Sequence, residues 1–357
     1  MASAPATIII PNVPDPSKAG APLFVGQKCQ YHPSFSSAAA DVVLCASDGV
    51  MYRMHSYTLR TASGFFRTMF TLPQHSPQTD RKGLQPRDVS ISTYVSSDVL
   101  TLFLMLISGL PINAPLHEWG HLSPFISFPS PPTPINDKPS IQSCFDIIDR
   151  VLHLAEDWDA PGPLSYLRLG LRNPELAKQY PLKLFSIASH FGWEYERNWA
   201  AQHCLMIDFF HDSDLEVQHT MESMSSKDLL CLLKLRHRRK EEFEALLNDP
   251  HRFSIGNAEE VFCPQCHETL VDNGTWRVLK EAMIMELERR PLGDTIVGYD
   301  VDGIGGESSA GGLLTWPEAD ACFNAICKKK GCGSLTYDEC TTLKQIQGCI
   351  DNLTWDL

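Results

Sequence analysis

The chain has 357 residues, with 30 basic against 43 acidic side chains for a net charge of −13, and 43% of its residues are apolar. That length exceeds what one hydrophobic core usually organises, so two or three units are expected. The acidic balance argues against broad adhesion to nucleic acid or an anionic membrane, and the longest apolar run, Val99 to Leu106, is too short to span a bilayer. The opening MASAPATIIIPNVPDP has no cationic start and is broken by prolines, unlike a signal peptide. Twelve cysteines without such a signal are expected in a reducing intracellular compartment, nucleus or cytoplasm, as buried small hydrophobes or as metal ligands.

Residues 1–28 are Pro/Ala-rich and read as disordered. Regular structure begins at Asp41. Val42, Val43 and Leu44 form a β-branched and apolar run, Asp48-Gly49 supplies a tight turn, and Val50, Tyr52 and Met54 alternate with Met51 and Arg53, which together predict a β-hairpin. The period of two ends at His55. Leu59, Ala62, Phe66 and Met69/Phe70 then recur every three or four residues, with Ser63-Gly64 as the joint between two short helices. Asp88 to Ile91 reads as a strand. Ser96-Ser97-Asp98 starts a helix with Val99, Leu102, Phe103 and Leu106 inward, ended by Gly109. Pro111 to roughly Ser140 is a Pro-rich surface insertion. Beyond it Phe145, Ile148, Leu152 and Ala155 share one helix face, and Glu156-Asp157-Trp158-Asp159 leads to a helix bearing Leu164, Leu167 and Leu171.

This order resembles the BTB/POZ domain, with Asp41, His55, Leu59, Ser63, Phe66 and Met69-Phe70 at the positions that open that domain. The resemblance covers about a third of the chain and is to the BTB/POZ-domain proteins abundant in fungi. It implies an α+β fold, a short β-sheet capped by α-helices, over residues 29–175 with the insertion at 111–140. It further implies a non-enzymatic interaction scaffold that forms a homodimer or a heterodimer with another BTB chain. Cullin ubiquitin-ligase adaptor or transcriptional-corepressor roles come with it, so cullin or corepressor proteins are the implied partners. Kelch repeats, a MATH domain and C2H2 fingers are absent from the sequence.

Residues 176–250 read as a helical extension. Pro181 suits a first helical position, Leu184, Phe185 and Ala188 form a stripe, and Gly192 stops it before a helix with Trp199, His203 and Met206. Ser225 and Asp228 resemble a capping box ahead of Leu229, Leu232, Leu233, Phe243 and Leu247. Arg236 to Lys240 (RHRRK), followed by Glu241, Glu242 and Glu244, reads as a solvated helix face rather than a localisation or phosphate-binding cluster.

Residues 255–357 are expected to be a cysteine-containing module. Cys263-Pro264-Gln265-Cys266 is a CxxC whose thiolates can reach one ion from a knuckle turn, and Cys327 and Cys332, with Gly331 and Gly333, supply a second pair. Four thiolates would close a tetrahedral structural zinc site; Cys322, Cys340, Cys349 and His267 are alternative ligands. Trp276, Leu279, Met283 and Leu287 predict an amphipathic helix, Pro317 starts another that ends at Cys327, and Gly293 to Gly312 reads as a flexible loop. A competing metal motif lies in the insertion, where His117-Glu118-Trp119-Gly120-His121 formally satisfies HExxH. On a helix its histidines would hold zinc and Glu118 would act as general base, the alternative reading being a zinc metallopeptidase. Pro115 and Pro124 leave it barely two turns, and Ser127 stands where a metzincin needs its third His, so chance occurrence is the expectation.

Overall fold

The computed structural model describes residues 7–9, 30–72, 89–112, 142–210, 215–298 and 312–357. The motif at 117–121 and nearly all of the 111–140 insertion lie outside these residues. The chain divides into two compact units, Met1–Asn173 and Pro174–Leu357.

In the first unit the expected hairpin is β2 (Val42–Cys45) and β3 (Met51–Met54), antiparallel with Val42 opposite Met54 and Leu44 opposite Tyr52. Gly49, at φ 88°, supplies the left-handed residue that the connection requires. β4 (Val89–Ser92) lies parallel to β2 on its other side. Thr7–Ile9, inside the stretch expected to lack structure, form β1 and pair in parallel with β4, so the sheet order is β1-β4-β2-β3.

Helices α1 (Ser56–Ala62) and α2 (Gly64–Met69) meet at Ser63, as the joint predicted. Asp41 accepts the Ser56 backbone N–H at 2.7 Å, so the acid heading β2 holds the start of α1. The Ser63 hydroxyl accepts from the Phe66 N–H and donates to the Trp158 carbonyl, 95 residues away. A Cβ at Gly64 would lie 1.8 Å from an Asp159 carboxylate oxygen, so a larger residue here would have to displace that side chain. Helices α3 (Ser97–Ile107), α4 (Gln142–Asp157) and α5 (Pro161–Leu171) complete the unit. Trp158 is buried, with Phe66 and Phe103 edge-on at 5.0 Å each, a geometry aromatic rings favour. Phe145, Ile148, Leu152 and Ala155, the predicted stripe, are all buried.

The second unit is helical: α6 (Pro174–Gln179), α7 (Pro181–His190), α8 (Glu194–Cys204), α9 (Leu215–Ser223), α10 (Ser226–Leu247), α11 (Ser254–Asn257), α12 (Gly274–Arg289), α13 (Asp294–Val297), α14 (Pro317–Phe323) and α15 (Glu339–Asp351). Residues 176–250 and 255–357, separate stretches in the sequence reading, share one core here: Phe243 and Leu247 of α10 pack with Trp276, Leu279, Met283 and Leu287 of α12 and with Ile346 and Ile350 of α15. Three local expectations need correction. Met206 lies past the end of α8. Four residues of the Gly293–Gly312 stretch form α13 between Gly293 and Gly298, both left-handed. The helix begun at Pro317 stops at Phe323, because Ala325 to Thr336 turn back as a hairpin.

The larger correction concerns RHRRK. Arg236 and Arg239 are buried, at 6% and 0% exposure, rather than solvated. Arg236 donates to the carbonyls of Ile207 and Arg289 and lies 4.2 Å from the Phe209 ring centre. Burial pushes its pKa down to about 10. Arg239 donates to the carbonyls of Pro291, Leu292, Leu353 and Thr354 and stacks on Trp355. Each planar fork thereby satisfies chain ends that turn away from their helices, which a lysine's point charge could not do. His237, Arg238 and Lys240 are the residues of the run that reach solvent. Among the described residues, no helix is long and apolar enough to cross a membrane.

Candidate metal centre

Two short hairpins in the second unit carry the four cysteines, and they are built alike. In the first, Phe262 bridges Leu270. The Cys263 N–H donates to the Thr269 carbonyl at 2.8 Å, and that of Val271 to Val261 at 2.7 Å. Its tip, Pro264 to His267, closes through His267 at φ 54°. In the second, Ile326 bridges Leu335, the Cys327 N–H donates to the Ser334 carbonyl at 2.9 Å, and that of Thr336 to Ala325 at 2.8 Å. Gly331 and Gly333 take φ of 87° and 61° with no atom near a would-be Cβ, so their glycines answer to backbone conformation and not to space.

The hairpins bring Cys263, Cys266, Cys327 and Cys332 together, with all four sulfurs within 4.8 Å of one another. Cys263 and Cys332 are 3.8 Å apart, as are Cys266 and Cys327, and each of these pairs joins one hairpin to the other. Four sulfurs held about 2.3 Å from a common ion at tetrahedral angles would lie about 3.8 Å apart, so the spacing fits a single four-coordinate metal. Cys263 is buried and the other three are half-buried.

The surroundings favour thiolates on the first hairpin. The Ser334 hydroxyl and then the backbone N–H groups of Cys266 and Gln265 lower the Cys263 thiol to about 6. Cys266 is lowered chiefly by the Glu268 backbone N–H. At Cys327 the Lys329 N–H pulls down, but burial and the three neighbouring thiols outweigh it and push the group up to about 11. Crowded donors of one sign are what a bound cation relieves, and the thiolate is the form that ligates. Lys328–Asp272 at 2.8 Å and Lys329–Glu268 at 2.6 Å also join the two hairpins. Such exposed pairs are screened by solvent and contribute little to stability.

The alternative ligands stay apart from the cluster. Cys322 and Cys349 are buried in the apolar core, where burial raises both thiols, and Cys340 is exposed. His267 points to solvent from the turn. No protein-family model matches the chain. A search of the curated proteins likewise finds no match. The assignment therefore rests on the cluster's own geometry.

Three supporting residues escaped the sequence reading. Asn273 is buried; it accepts from the Tyr337 hydroxyl at 3.1 Å and donates to the Ala258 carbonyl. Since Asn273 follows the first hairpin and Tyr337 the second, that bond fixes both at their bases. The third is Ser334, whose hydroxyl lies 3.1 Å from the Cys263 sulfur. The one sequence signal was its place two residues beyond Cys332.

Proposed function

We propose that this chain is a non-enzymatic protein–protein interaction scaffold with a BTB/POZ-like first unit that pairs with a second copy or with another BTB chain. Its second unit is stapled by one structural zinc held by Cys263, Cys266, Cys327 and Cys332. The observation that carries the scaffold reading is the element order hairpin, α1–α2, β4, α3 and α4–α5, which follows the order on which the BTB/POZ resemblance rests. Leu59, Phe66, Val99, Phe103, Ile148 and Leu152, all within that resemblance, are buried. Cullin-adaptor or corepressor assembly is the class of activity in keeping with it.

The zinc reading is supported by the 3.8 Å cross-hairpin spacings. Zinc suits an all-thiolate tetrahedral set, and without an open coordination position its role is structural.

Light scattering on the full chain tests self-pairing. A dimer at tens of micromolar is expected, burying an interface of roughly 1,200–2,000 Å² or more, and a strictly monomeric species overturns it. Affinity purification with mass spectrometry then identifies partners. The metallopeptidase alternative is tested by His117→Ala with His121→Ala, which should leave metal content and partner binding unchanged. Hydrolysis of a peptide library that this double substitution abolished would replace the scaffold reading.

A further inference from the structure

Ser334 touches three of the four sulfur-bearing residues. Its hydroxyl oxygen lies 3.1 Å from the Cys263 sulfur and 3.5 Å from that of Cys332, and its carbonyl accepts the Cys327 N–H at 2.9 Å. Cys263 belongs to the first hairpin and the other two to the second, so this half-buried serine links the ligand set across the gap between them. The nearest counterpart at the other end, the Thr269 hydroxyl, stands 3.8 Å from Cys266.

We infer that Ser334 is a positioning residue for the metal, an inference that rests on the zinc reading above. A metal-bound thiolate has no proton to give, so with the site loaded the Ser334 hydroxyl is the donor, and Cys263 is its nearer acceptor. A hydroxyl–thiolate bond is charge-assisted. It withdraws charge from a four-thiolate zinc complex, which carries a net charge of about −2. The same bond fixes the rotamer of Cys263 against the second hairpin before the ion arrives, so that the first hairpin does not have to search for it. Outer partners of this kind change metal affinity by about 10–100-fold when removed.

The test uses the full-length protein with Ser334→Ala, Ser334→Thr and Ser334→Val. Zinc affinity is read by competition with a chromophoric chelator, and the thiolate-to-metal charge-transfer absorption is read after loading with Co2+. Ser334→Ala should weaken zinc binding about 10-fold or more and move the charge-transfer band to lower energy, because a thiolate that loses a hydrogen bond gives up an electron more readily. Ser334→Thr should restore both. Valine matches threonine in shape without the hydroxyl, so the Thr–Val difference isolates the hydrogen bond even if alanine disturbs the hairpin. Wild-type affinity in Ser334→Ala, weakened binding with an unmoved band, or equal behaviour of Thr and Val would each overturn the inference. A wild-type protein that binds neither zinc nor cobalt fails the zinc reading itself, which is a separate result.

Discussion

The two units are closed by different means. The first is organised by apolar faces, where Phe66 and Phe103 meet Trp158 edge-on, with the Ser63 hydroxyl bonded to the Trp158 carbonyl beside them. The second also has an apolar core, but buried arginines and clustered cysteines draw its distant segments together, the arginine bonds reaching from 29 to 115 residues along the chain. Apolar burial is non-directional and tolerates small adjustments. A buried guanidinium or a four-sulfur cage fails all at once when a single partner is lost. The second unit should therefore be the more brittle of the two.

The largest test of that contrast is Cys263→Ser with Cys266→Ser. Under the zinc reading this removes binding energy on the order of 10 kcal/mol that is coupled to folding. Near-stoichiometric zinc should disappear on metal analysis, and hydrogen exchange should rise in residues past about 255 while the first unit keeps its protection. Zinc content that survived the change would show that other residues hold the metal. Next comes Arg239→Ala, which strands buried carbonyls and should cost about 3–5 kcal/mol. Arg239→Lys should recover little, since an ammonium cannot span those acceptors. Urea unfolding of the second unit reads both, and wild-type stability in the lysine variant would show that charge, not fork geometry, matters there. The smallest effect sharpens the comparison in the opposite direction. His267→Gly relieves a non-glycine left-handed residue and should stabilise the second unit by about 0.5–1 kcal/mol, with and without metal. A loss of stability in calorimetry would mean that the imidazole does more than occupy a turn.

How legible each part was in the sequence follows from the same contrast. The hairpin at 42–54, the joint at Ser63 and the face of α4 were readable because periodicity of two or of 3.6 residues is a local signal that decides which side chains point inward. The four cysteines were readable as types at knuckle spacing, although only the fold could exclude Cys322, which looks no different in sequence and lies in the apolar core. RHRRK misled because charge normally marks solvent. Nothing within ten residues of Arg239 reveals that Pro291 and Leu353 will present carbonyls to it. Helix α15 was missed for a related reason: its stripe of Thr342, Ile346, Cys349 and Ile350 is sparse, and its N-cap Asp338 gave the clearest cue. Ser334 illustrates the limit, since a serine beside a cysteine becomes informative only once a second hairpin is seen to face it.

The Arg239 bonds also bear on the order in which the protein can be made. Its acceptors at Pro291 and Thr354 lie 52 and 115 residues further along the chain. At roughly 5–20 residues per second, translation needs on the order of ten seconds to deliver the second of these. Through that interval the nascent α10 must keep a guanidinium in water that the finished unit holds dry. The helix therefore cannot settle its inward face until its last acceptors have left the ribosome, and completion of this unit is a late event however early α10 itself coils.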